Sequence, residues 1–125
     1  MIKHVSLTTI YVSDQDKALD FYVNKLGFDV RADEMMGDMR WIQVAPKGAE
    51  TTIVLWLLVY GDMKKDTIGE FTGVGFVADD VEATYQELSS RGVEFTETPN
   101  QQPWGMQAQF VDQDGNGYVL SQAGE

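Results

Sequence analysis

Three tryptophans, Trp41, Trp56 and Trp104, are the side chains of this sequence best equipped to hold a guest molecule. Indole presents a large rigid apolar surface that stacks on planar groups and keeps one polar handle. Trp41 and Trp56 fall in strand-like segments. Trp104 sits in Gln101-Gln102-Pro103-Trp104-Gly105, where no strand alternation fixes its direction. Tyr11, Met36, Met39 and Arg40 could join them. Met35, Met36 and Met39 bracket Gly37-Asp38 as a flexible, polarizable loop suited to apolar ligands of varied shape. The Arg40 guanidinium could anchor an anion. The same residues equally suit a packed core or a subunit contact, so binding and packing readings both stand.

Other chemistries find less support. No cysteine is present, which removes disulfides, thiolate metal sites and cysteine nucleophiles together. His4 is the only histidine, and no serine stands in a nucleophile-elbow pattern. Asp112 and Asp114 could be an acid–base pair, but their turn context favours hydrogen bonds to nearby backbone. Gly73-Val74-Gly75 and Gly115-Asn116-Gly117 lack the lysine of a phosphate loop. With 20 acidic and 9 basic residues the formal charge is -11, and scattered Lys and Arg argue against nucleic acid. The longest apolar run, residues 53–60, is too short to span a bilayer, and residues 1–6 do not read as a signal peptide. The plain expectation is a cytoplasmic protein with no membrane partner.

The elements that must position these side chains recur twice. Residues 6–12 read as a strand, Ser13-Asp14 as a helix cap, and residues 15–26 as a helix ended by Gly27. Ala18, Leu19, Tyr22 and Leu26 line its apolar face. The phrase returns as a strand at 74–78, a cap at Asp79-Asp80, a helix carrying Val81, Tyr85 and Leu88, and a stop at Gly92. A constant offset of 65 pairs Val12 with Val77, Asp14 with Asp79, Ala18 with Ala83 and Gly27 with Gly92. Further strands are expected at 28–34, 40–45 and 52–59, then at 93–97, 106–111 and 118–122. One domain, 1–125, is therefore expected, with modules of about 1–61 and 70–125 joined by 62–69. Its class is α+β: two βαβββ modules forming a curved, cup-like mixed sheet with helices on the outer face.

Tyr11-Val12-Ser13-Asp14, then Ala18-Leu19-Asp20-Phe21-Tyr22 and Leu26-Gly27-Phe28, and late in the chain Phe110-Val111-Asp112-Gln113-Asp114-Gly115-Asn116, make the sequence resemble the vicinal oxygen chelate superfamily. This is the glyoxalase, bleomycin-resistance and extradiol-dioxygenase group, and the resemblance spans essentially the whole chain. Metal-dependent members place one His or Glu on the first and last strand of each module. Carried over, those positions fall near Leu7, Leu55, Gly73 and Val119, none of which can bind a metal. His4 and Glu70 each lie three residues from an expected site, an odd step that points to the opposite face of a strand.

The resemblance thus implies no metal and no cofactor, and leans away from an enzyme. It implies metal-independent binding of a small aromatic or cationic organic molecule, similar to antibiotic sequestration, with homodimerisation. Tyr11, Met36, Met39, Arg40, Trp41, Trp56 and Trp104 are the candidate ligand-binding residues. One alternative is a lyase, isomerase or dioxygenase with a displaced metal site using His4, Glu70 or other carboxylates. Another is an interaction module whose cup is filled by its own side chains.

Overall fold

The computed structural model describes residues 1–60 and 68–123. The chain divides into two compact units, Met1–Ile68 and Gly69–Glu125. The connection expected over 62–69 falls mostly on residues 61–67, outside the described residues.

The first unit runs β1 (Leu7–Val12), α1 (Gln15–Leu19, continued by a π-helical turn, Asp20–Lys25), β2 (Asp29–Met36), β3 (Met39–Ala45) and β4 (Thr52–Leu57), followed by a 3₁₀ turn (Leu58–Tyr60). The second runs β5 (Phe71–Ala78), α2 (Val81–Ser90), β6 (Glu94–Gln102), β7 (Gly105–Val111) and β8 (Gly117–Gln122). Each unit is βαβββ, and the class is α+β as expected. Each makes a mixed four-stranded sheet, in the orders β1-β4-β3-β2 and β5-β8-β7-β6. The first and last strands of each unit pair in parallel, and the other neighbours are antiparallel.

Local chemistry explains the boundaries. Asp14 caps α1 by accepting the Lys17 N–H at 3.0 Å, and Asp80 caps α2 by accepting that of Ala83 at 3.0 Å. Gly27 and Gly92, at φ 80° and 92°, end the two helical segments in the left-handed region that glycine enters without strain. Met35, Met36 and Met39 do not form a flexible loop. They belong to a tight hairpin in which Met35 pairs with Arg40 and Met36 with Met39. Gly37, at φ 66°, takes the first place of its two-residue turn.

The duplication is real, but its offset is not constant. Val12 pairs with Leu57 as Ala78 pairs with Gln122, so β1 lies 66 residues from β5 while β4 lies 65 from β8. The structural counterparts of Val12 and Asp14 are Ala78 and Asp80, not Val77 and Asp79. The π turn takes up the difference, since Asp14 to Gly27 is one residue longer than Asp80 to Gly92. An additional bulge in β6, between Glu97 and Asn100, and a shorter loop before β8 shift the offset twice more.

Each sheet buries one face beneath its helix. In the first unit Ile10, Val12, Ile42, Val44, Ile53 and Leu55 are buried there with Phe21 and Tyr22 of the π turn. In the second, α2 packs on β6, β7 and β8 over an aromatic core, with Tyr85 at 4.8 Å from Phe95 and Phe110 at 5.5 Å from Tyr118. The Asp112 carboxylate is buried, accepting the Asp114 and Asn116 N–H groups at 2.8 and 2.9 Å, so the turn role expected for it holds. Among the described residues no helix is long and apolar enough to cross a membrane.

Candidate functional site

Residues paired across a sheet share a face, and alternate residues of a strand point to opposite faces. In the first unit the ladder therefore sets Tyr11 beside Trp56, Thr9 beside Val54, and Gln43 beside Val54, all on the face away from α1. Trp41 and Met39 follow Gln43 by even steps, and Met36 pairs with Met39. Five of the seven expected ligand-binding residues, Tyr11, Met36, Met39, Trp41 and Trp56, thus share one face.

Its centre is a row of rings. Trp41 meets Trp56 edge to face at 5.6 Å, and Trp56 meets Tyr60 in the same manner at 5.0 Å. The Trp41 indole N–H donates to Gln43 Oε1 at 3.1 Å, and Gln43 Nε2 donates to Thr52 Oγ1 at 2.9 Å. These bonds fix the indole plane and leave its ring for contact. Met39 is 38% exposed and Met36 52% exposed, placing two adaptable thioethers at the rim.

Arg40 goes elsewhere. Standing between Met39 and Trp41, it points by strand alternation to the face that carries α1. There its Nε and Nη2 take both oxygens of Asp33 at 2.8 Å, and its Nη1 takes Asp16 at 2.8 Å. Hydrogen bonding to Arg40 holds the Asp33 carboxyl below its ordinary pKa, with the nearby positive charge adding to the effect and burial opposing it. The same bonds, to Asp33 first and then Asp16, raise the Arg40 pKa above its usual range. A guanidinium held by two carboxylates ties β3 to β2 and α1, and the anion-anchoring role expected of it does not fit this geometry. Trp104 belongs to the second unit, 63% exposed at the β6–β7 hairpin, with its N–H on Gln107 Oε1 at 2.8 Å.

Sequence reasoning missed Tyr60, Gln43 and Gln15. Tyr60 follows Trp56 by four residues and returns to it through the 3₁₀ turn. Gln15, buried at the start of α1, donates through Nε2 to the carbonyls of Arg40 and Leu55, both at 2.9 Å. No sequence signal marks a helix-initial glutamine as an inter-strand bridge.

The family's metal positions can be tested against these registers. Leu55 points beneath α1 and is fully buried, so the position on Leu7's face is Val54, whose counterpart at the same offset is Val119. Leu7 and Val54 in the first unit, and Gly73 and Val119 in the second, carry no metal-binding atom. Gly73 has φ +77°, where an L side chain is strained. His4 lies 3.8 Å from Glu50, both substantially exposed. The residues present do not fit the metal of the family's metal-dependent members.

Known proteins agree with this architecture. A member of the glyoxalase/bleomycin resistance protein/dioxygenase superfamily from Sphaerobacter thermophilus has a solved structure 41% identical in sequence, covering 97% of this chain and 98% of its own, at TM-score 0.90. The structure of TnmS3, an antibiotic binding protein from a Streptomyces species, is 45% identical, covers 97% of this chain and 96% of its own, and superposes at TM-score 0.83. YetH, an uncharacterized protein of Bacillus subtilis, is 41% identical over 98% of this chain and its own full length. Residues 2–120 match the Glyoxalase/Bleomycin resistance protein/Dioxygenase superfamily, and the chain belongs to it.

Proposed function

We propose that this chain binds a small planar organic molecule on the aromatic face of its first sheet, without a metal, and so sequesters it. The observation that carries the reading is the Trp41–Trp56–Tyr60 row, with the Trp41 indole pinned by Gln43 and two methionines at its rim. Such a surface gains from burying flat apolar area and from edge-to-face and stacked ring contacts. The likeness to TnmS3 supports an antibiotic-like guest. The reading includes a homodimer and a cytoplasmic location, where sequestration would protect intracellular targets.

The test is a titration of the purified chain with a panel of fused-ring aromatic antibiotics, followed by intrinsic fluorescence and native mass spectrometry. Saturable quenching that is lost in Trp41→Phe/Trp56→Phe, with a one-to-one mass adduct on each chain of a dimer, is expected. Absence of any adduct or quenching across the panel would overturn the reading.

A further inference from the structure

The two sheets carry opposite chemistry on the faces their helices leave open. In the second unit Phe76, Phe95, Phe110 and Tyr118 lie beneath α2, and the other face carries a cluster of hydrogen-bonding groups beside Val77 and Val119. Glu97 pairs with Gln109, which pairs in turn with Val119 and so with Gly75. Asn100, Gln107 and Ser121 make the adjoining row.

Glu97, half-buried, is the one charged member of these two rows. Its Oε1 accepts from Asn100 Nδ2 at 2.9 Å and Gln107 Nε2 at 3.0 Å, and its Oε2 from Gln109 Nε2 at 3.4 Å. None of the ion pairs among the described residues includes it. Neutral amides stabilise a carboxylate by hydrogen bonding but leave its charge unbalanced. Oε2, with a single long bond, keeps acceptor capacity for a donor from outside.

Trp104 is joined to this carboxylate through Gln107. Its indole N–H donates to Gln107 Oε1 at 2.8 Å, while Gln107 Nε2 bonds Glu97. An indole left 63% exposed forgoes apolar burial, and with its N–H engaged it offers its π surface outward. A Cβ built on Gly75 would meet only the Val119 carbonyl oxygen, at 3.8 Å, so no side chain of β5 covers this row there.

We propose that Glu97 and Trp104, both residues of the second unit, form a binding site for an aromatic primary ammonium. The ammonium donates to Glu97 Oε2, and the attached ring lies against the Trp104 indole. A carboxylate set among amide donors selects a cationic donor, and an exposed indole adds apolar and ring–ring attraction. The site does not rest on the function proposed for the first sheet.

The experiment is a titration of the full chain, labelled with ¹⁵N at the tryptophan indoles, with 2-phenylethylammonium chloride and with neutral 2-phenylethanol. Trp104→Phe identifies the Trp104 resonance. The ammonium probe is expected to shift that resonance saturably, and more weakly at high salt. Glu97→Gln is expected to raise its Kd roughly tenfold or more, while 2-phenylethanol binds both forms alike and weakly. Equal ammonium affinity in Glu97→Gln, or equal affinity for ammonium and alcohol, would overturn the site. Should Glu97→Gln fail to fold, the exposed Trp104→Ala replaces it with binding read by calorimetric titration, and undiminished ammonium affinity there would overturn the site equally. Shifts confined to Trp41 and Trp56 would remove this site and leave the function proposed for the first sheet standing.

Discussion

Trp41 and Trp56 stand edge to face at 5.6 Å beyond the point where the β3–β4 ladder ends, and the Gln15 side chain bridges the backbone beside both. β3 pairs with β4 through Gln43 with Val54 and Val44 with Ile53. Past them, Gln15 Nε2 replaces a rung of the sheet by binding the carbonyl of the residue before each tryptophan. Gln15→Leu should therefore disturb the pair as well as the fold. Expected are a loss of about 1–3 kcal/mol in denaturant unfolding, from carbonyls left without their donor, and a weakened Trp–Trp exciton couplet in circular dichroism. An unchanged couplet in a destabilised variant would show that Gln15 supports the fold without setting the rings.

Leu55 and Trp56 are neighbours with opposite duties. Leu55 is fully buried beneath α1, and Leu55→Ala should cost about 2–5 kcal/mol of stability by leaving a cavity. Trp56→Ala removes the ring between Trp41 and Tyr60 and should weaken binding of a fused-ring guest roughly tenfold or more. Calorimetric titration beside thermal unfolding separates the two effects. Retained affinity in Trp56→Ala would count against the aromatic face as the site.

The Asp33–Arg40 pair predicts a pH dependence of definite sign. Because the folded pKa of Asp33 is depressed, its contribution is present above the ordinary aspartate value and lost as pH falls through the lower folded one. Arg40, raised, stays charged throughout. The stability difference between the protein and Asp33→Asn should be level at pH values well above the ordinary aspartate pKa of 3.8 and fade as the pH falls from there through the lower folded one. Partial exposure of both side chains limits it to about 1 kcal/mol or less. A difference that persists undiminished in acid would place the effect of Asn elsewhere.

Gly73 and Gly75 occupy one strand and should respond differently to alanine. At Gly73, φ +77° makes any L residue strained, and Gly73→Ala should cost about 1–2 kcal/mol although the space is open. Gly75 has no such φ and its Cβ would make only an ordinary contact, so Gly75→Ala should be close to neutral. Equal thermal shifts for the two would contradict the backbone argument for why a metal ligand suits position 73 poorly.

By itself the sequence determined the class, the repeat and the absence of metal-binding atoms at the family's positions. Those follow from local signals: the Asp caps, Gly27 and Gly92, the period-two strands and the residue types at Leu7, Gly73 and Val119. It also supplied the tryptophans. Tertiary structure decided which of them share a surface, because a single residue of register reverses every side chain of a strand. The π turn, the additional β6 bulge and the shortened loop each shift the offset between the two units by one, and the pairing of Thr9 with Val54 moves the second position from Leu55 to Val54. The same alternation sends Arg40 away from Trp41 and onto Asp16 and Asp33. The bridge from Gln15 to the strands of Trp41 and Trp56 joins residues 25 and 40 positions apart, a proximity that only the folded chain creates.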